Sequence, residues 1–135
     1  MKAEELMLGD YITFRDVQND SYCPKLKVCG LIGDDVYASI DGDPVLDIVD
    51  QDDMVGIPLT PEILEKNGFV KSERYDVWKI INDEYELRIT PLRAAVIFLD
   101  EDGTDKEDFS TPRPKYVHEL QHILRLCGID KEITV

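Results

Sequence analysis

Basic side chains are in short supply: 15 Lys and Arg stand against 29 Asp and Glu, a formal charge of −14. A surface that neutralises a duplex phosphate backbone is therefore not expected, nor is direct binding of nucleic acid. Cysteine is equally scarce. Cys23, Cys29 and Cys127 form no C-x-x-C pair and leave one thiol over in any disulfide scheme, which fits reduced thiols in a cytoplasm better than a secreted disulfide scaffold. Long apolar runs are missing too: the longest, residues 94–99, is strand-sized and far below the ~20 residues that span a bilayer. Met1-Lys2-Ala3-Glu4-Glu5 enters acidic residues directly, without the apolar core of a secretory signal. No G-x-x-x-x-G-K-[ST], G-x-G-x-x-G or G-x-S-x-G occurs, so the usual phosphate cradles and the hydrolase nucleophile elbow are absent. What remains is a chain of 135 residues with 43% hydrophobic side chains, enough for one core or two small packed ones.

The acid is unevenly spread. Residues 1–57 carry 13 carboxylates and 4 basic side chains, and residues 58–135 carry 16 and 11. Between Asp34 and Asp53 lie eight aspartates without a Lys or Arg, yet Val36, Tyr37, Ile40, Val45, Leu46, Ile48 and Val49 run through them. A disordered acidic tail would lack those apolar residues. The pattern reads as short strands at 11–14, 25–32, 36–40 and 45–49, with Gly33-Asp34 and Asp41-Gly42-Asp43-Pro44 as turns. So many short strands in under sixty residues predict a small SH3-like β-barrel or curled sheet.

The style changes near Ile57. Residues 58–68 predict a short linker helix, with Thr60 as N-cap, Pro61 at the first helical position and Asn67-Gly68 as a left-handed stop. Strands follow at 75–81 and 85–90, the second alternating Tyr85, Leu87 and Ile89 against Glu86, Arg88 and Thr90. The continuous apolar run 94–99 suggests a central strand. A turn at 100–103, a weaker strand near Phe109 and a helix over 114–127 ended by Gly128 complete the chain. The expected architecture is α+β in two halves: 1–57, barrel-like, and 58–135, an antiparallel sheet with the C-terminal helix packed on one face.

One motif suggests chemistry. His118-Glu119-Leu120-Gln121-His122 matches H-E-x-x-H and falls within the last helix, where two histidines one turn apart bind zinc and the Glu takes a proton from metal-bound water. A third ligand is harder to find. Asp130 and Glu132 are the only later carboxylates, and the longer H-E-x-x-H continuation would place its glycine at Arg125 and its final His at Gly128. At 100° per residue, Tyr116, Val117, Leu120, Ile123, Leu124 and Cys127 share one stripe about 120° wide, with His118, His122 and Arg125 opposite. Both imidazoles are therefore expected to face solvent, whereas a catalytic metal needs a walled cleft. Cys23 and Cys29 with the two histidines would make a Cys2His2 set, but C-x5-C spacing is loose.

Other candidates have plainer explanations. Aligning Gly103 in Asp100-Glu101-Asp102-Gly103-Thr104-Asp105 with an EF-hand glycine puts Phe98 and Phe109 at ligand positions, so a hairpin turn explains it better. Cys127, on the apolar stripe, reads as an inert thiol. Trp78 and Tyr75 read as sheet packing. The aspartates between Asp34 and Asp53 suit a solvated surface that blunts strand edges, or, if they share a face, a phosphate-like row for a basic partner.

Three stretches are similar to a known group: Leu6-Met7-Leu8-Gly9-Asp10-Tyr11, residues 57–69 (Ile57-Pro58-Leu59-Thr60-Pro61 through Gly68-Phe69), and Tyr116-Val117-His118-Glu119-Leu120-Gln121-His122 through Leu126-Cys127-Gly128-Ile129. Together they resemble a family of small uncharacterised proteins of gut-dwelling anaerobic bacteria and their phages or mobile elements. The resemblance covers about a third of the chain. It implies a cytoplasmic, mobile-element setting and brings no cofactor or catalytic residue. The expectation is a non-enzymatic protein-binding or accessory module with another protein as partner, no membrane, no cofactor, and no catalytic or metal residue. The alternatives are a zinc-dependent hydrolase using His118, Glu119 and His122, and an acidic nucleic-acid mimic.

Overall fold

The computed structural model describes residues 1–14, 25–40, 47–50, 54–99 and 106–135. Cys23, the turn at 41–44 and the acidic turn at 100–105 lie outside them. The fold is α+β and mostly strand, with two antiparallel five-stranded sheets and two α-helices. It divides into two compact units, one formed by residues 1–58, 116–122 and 135, the other by 59–115 and 123–134.

The first unit holds β1 (Tyr11–Phe14), β2 (Leu26–Ile32), β3 (Asp35–Ile40), β4 (Asp47–Asp50) and β5 (Met54–Gly56), in the order β4-β3-β2-β1-β5. Ile12, fully buried, pairs with Leu26 on one side and Gly56 on the other. A two-residue loop with Gly33 at φ +59° joins β2 to β3, closing on the Ile32 and Asp35 pair; such tight hairpins need a residue that accepts positive φ. In β3 the period of two is plain: Val36 and Ala38 are buried, Tyr37 and Ser39 half-buried. A bulge at Cys29 shifts the register from Val28 opposite Ala38 to Gly30 opposite Tyr37. The inward positions of β2 consequently change from Leu26 and Val28 to Leu31, which packs against the same core as Val36 and Met54. The sheet is open. β4 and β5 are its two edges, and no pairing joins them among the described residues. β5 had no counterpart in the sequence reading.

In the second unit, α1 (Pro61–Lys66) begins as the sequence predicts, with Thr60 Oγ1 accepting the Ile63 N–H at 3.3 Å and Pro61 first in the helix. It stops at Gly68, φ +88°. Asn67 does more than end it. Its Nδ2 donates to Ile63 O at 2.7 Å and to Thr134 O at 2.8 Å, while its Oδ1 accepts from Thr134 N–H at 2.8 Å. The sheet of β6 (Val70–Lys71), β7 (Trp78–Ile81), β8 (Tyr85–Ile89), β9 (Arg93–Phe98) and β10 (Lys106–Pro112) is a sequential meander. One face carries buried Trp78, Tyr85, Leu87, Ile89, Ala94 and Val96. On the other, Glu86 pairs with Arg88 at 3.1 Å and with Lys79 at 3.8 Å. β9, expected at the centre for its continuous apolar sequence, is flanked by β8 and β10, but β8 is the middle strand. In β9 the cross-strand neighbour of Arg88, the small Ala95, is 4% exposed, while Ile97 on the same face is half-buried.

The second helix, α2 (Val117–Leu126), is shorter at its start than the expected 114–127. Tyr116 instead bridges to Pro58, and Val117 N–H donates to Ile57 O at 2.8 Å. At the other end Gly128, φ +70°, lets Ile129 N–H reach Leu124 O at 2.8 Å, which satisfies a terminal carbonyl. Val117, Leu120, Ile123 and Leu124 of the apolar stripe are buried, and Cys127 is half-buried. Among the described residues no helix is long and apolar enough to cross a membrane.

Candidate functional site

The polar face of α2 meets the turn that precedes β1. Gly9 at φ +86° lets residues 7–10 fold back tightly, with Asp10 N–H on Met7 O at 3.2 Å and Met7 N–H on Asp10 Oδ2 at 2.8 Å. The turn is stitched to β2, since Gly9 N–H donates to Val28 O at 2.7 Å and Val28 N–H to Asp10 O at 2.9 Å. This leaves Asp10 with no exposed surface. A carboxyl in such a place demands donors, and the helix supplies one: His122 Nε2 lies 2.6 Å from Asp10 Oδ2. Gln121 grips the backbone on either side, its Nε2 donating to Gly9 O at 3.0 Å and its Oε1 accepting Tyr11 N–H at 2.9 Å.

The expectation that both imidazoles face solvent is overturned. His118 is 4% exposed and the His122 side chain 22%. The helical wheel weighed apolar residues alone, and a polar face also turns inward when a buried partner can satisfy it. For His122 that partner is Asp10, far upstream, which no local signal places there.

His118 sits in a different environment from its neighbour one turn away. Its ring stacks on Tyr116, centroids 5.7 Å apart and planes 9° apart, and meets His122 edge-on at 5.7 Å. Burial lowers its pKa from the ordinary 6.5; the Asp10, Glu119 and Glu5 carboxylates oppose that and His122 reinforces it. The neutral ring is the favoured form, yet its Nδ1 is buried without a hydrogen-bond partner. Beside it opens a cavity of about 260 Å³ lined by Met1, Glu5, Met54, Val55, Gly56, Tyr116, His118 and Glu119. Gly56 is required in this wall: a Cβ there would come within 2.7 Å of the Tyr116 ring and 3.1 Å of His118 Cε1.

The H-E-x-x-H residues are thus brought close but put to different uses. His118 and Glu119 line the cavity; neither His122 nor Asp10 does. His122 Nε2 is engaged with Asp10 Oδ2 at 2.6 Å. Among the described residues no group of three or more His, Cys, Asp or Glu side chains has the geometry to hold a metal ion. Cys29 is exposed, its Sγ within 3.3 Å of Lys27 O and 3.4 Å of Ser39 Oγ. Trp78 is buried in its sheet and Tyr75 is exposed. Of the acidic stretch, Asp34 and Asp35 are exposed.

The sequence reading missed Asp10 and Gln121. The signal available was slight: a Gly-Asp pair ahead of a strand, and one amide between an apolar position and a histidine. Comparison with protein-family models, with curated proteins and with solved structures finds no match to the chain.

Proposed function

We propose that the protein is a non-enzymatic binding or accessory module that acts by holding another protein. The observation that carries this reading is the use made of the α2 polar face. Gln121 and His122 are engaged with Gly9, Asp10 and Tyr11, so one of the two histidines that a zinc hydrolase would need is tied into the first unit's framework. The strand order, a meander whose last strand β5 returns to pair with β1, supports reading that unit as an SH3-like barrel opened between β4 and β5, a scaffold that presents loops and edges to partners. The resemblance of the three sequence stretches supports a phage or mobile-element setting, and the cysteine usage a cytoplasmic one.

The test is the metal content of protein purified without a histidine tag, together with a His122→Ala variant. Substoichiometric zinc in both is expected. Near-stoichiometric zinc that disappears in His122→Ala would establish the zinc-hydrolase alternative instead. The acidic-mimic alternative predicts salt-sensitive capture of a nucleic-acid-binding protein from lysate, and fails if low-salt capture recovers none.

A further inference from the structure

The cavity beside His118 combines three features. First, it holds an imidazole that is 4% exposed, with a buried nitrogen lacking any partner; such a group is costly to leave unsatisfied and gains when a ligand completes it. Second, its charge is unbalanced. Glu5 and Glu119 line it, and although the Met1 ammonium reaches Met54 O at 3.4 Å on the same wall, two carboxylates against one ammonium leave a net negative charge. No Lys or Arg side chain lines it among the described residues. Third, Tyr116 and His118 lie nearly parallel, giving flat aromatic surface at the cavity wall. At about 260 Å³ the space falls below the roughly 300–1,000 Å³ of small-molecule sites.

We propose that this cavity is a socket for one arginine side chain of a protein partner, with Glu5 and Glu119 taking the charge and the Tyr116 and His118 rings offering flat surface. A guanidinium suits this set better than an ammonium: its planar fork reaches a carboxylate and a second acceptor at once, and it stacks on aromatic rings. The net charge of the lined cavity suits a monovalent cation. This inference rests on the protein-binding reading and gives that reading a contact point on the first unit.

The experiment follows the His118 ring by two-bond 1H–15N correlation spectra of the full chain while acetyl-Ala-Arg-Ala-amide is added to tens of millimolar. Acetyl-Ala-citrulline-Ala-amide serves as the uncharged isostere and acetyl-Ala-Lys-Ala-amide as the ammonium. The expected result is a saturable shift of the His118 resonances with the arginine peptide, a weaker one with lysine and none with citrulline. A Glu5→Gln/Glu119→Gln variant, whose changes are at the surface and isosteric, should bind the arginine peptide roughly fivefold more weakly. No shift with arginine, an equal shift with citrulline, or unchanged affinity in the double variant overturns the proposal. A His118 response to zinc but not to the arginine peptide overturns it as well. Stoichiometric zinc lost in His122→Ala would bring down the protein-binding reading itself, whereas a silent peptide titration on zinc-free protein brings down the socket alone.

Discussion

Asp10, without exposed surface, shares one carboxylate oxygen between the Met7 N–H at 2.8 Å and His122 Nε2 at 2.6 Å. One side chain therefore closes the turn before β1 and fastens it to α2. Replacing it by Ala removes an acceptor that two half-buried bonds use, and about 2–4 kcal/mol of stability should go with it. Asp10→Asn can keep its carbonyl oxygen at the position of Oδ2, where both donors converge, but gives up the negative charge. Its cost should fall short of the Ala variant's, at about 1–2 kcal/mol. Urea midpoints of the three proteins check the order; equal stability of wild type and Asp10→Ala would show that the bond is incidental.

This relationship also marks where the sequence was readable and where it was not. α1 was legible because its cap, first-turn proline and stop glycine are local signals, each acting within a turn of its own residue. β8 was legible for a similar reason, since alternation of Tyr85, Leu87 and Ile89 needs no knowledge of partners. Asp10 and His122 are coupled only by tertiary folding, and nothing near either residue announces the other. Asn67 is a parallel case: its stop role is local, but its bonds to Thr134 depend on where the chain's last residues return. β5 and β6 were missed because three and two residues are too few to show a period. The orientation of α2 was misjudged because polarity was equated with exposure, although Gln121 and His118 are both under 10% exposed.

Gln121 offers a test of orientation at atomic level. Its amide presents a donor to Gly9 O and an acceptor to Tyr11 N–H. In Gln121→Glu the shape is kept and the acceptor survives, but the group facing Gly9 O turns from donor to acceptor. At neutral pH this variant should lose about 2 kcal/mol or more, because two oxygens now oppose each other in a site 7% exposed. Gln121→Met, which removes both bonds without introducing repulsion, should be the milder change. Chemical denaturation of the pair settles the order, and a Glu variant as stable as wild type would mean that the amide does not bond as described.

The close approach of Gly56 to Tyr116 leads to a double-mutant prediction. With ring carbons 2.7 Å from the position of an added Cβ, Gly56→Ala forces either Tyr116 or β5 to move, at about 1–3 kcal/mol. In a Tyr116→Ala background the nearer obstacle is gone, leaving His118 Cε1 at 3.1 Å, and the same substitution should cost less. The coupling energy from the cycle measures the contact itself. Additive effects would place the strain elsewhere.

The buried ring of His118 makes a prediction about pH. Its pKa in the folded chain lies below 6.5, chiefly because burial penalises the imidazolium; Asp10, Glu119 and Glu5 pull the other way and His122 adds to the lowering. The unfolded chain, with its histidine near the ordinary value, therefore binds more protons than the native chain as pH falls through about 6.5, and stability must decline there. The decline continues until the lower folded pKa is passed, below which both states carry the proton. A His118→Gln variant removes the imidazole and is the reference for the comparison. Between pH 7.5 and pH 5.5, roughly the window around an ordinary histidine, wild type should lose more stability than His118→Gln, by urea midpoint at each pH. If the two proteins fall in parallel, the ring is not held neutral by its surroundings. A wild type that gains stability on acidification relative to the variant would mean that the carboxylates outweigh burial and that His118 carries a charge in the folded chain.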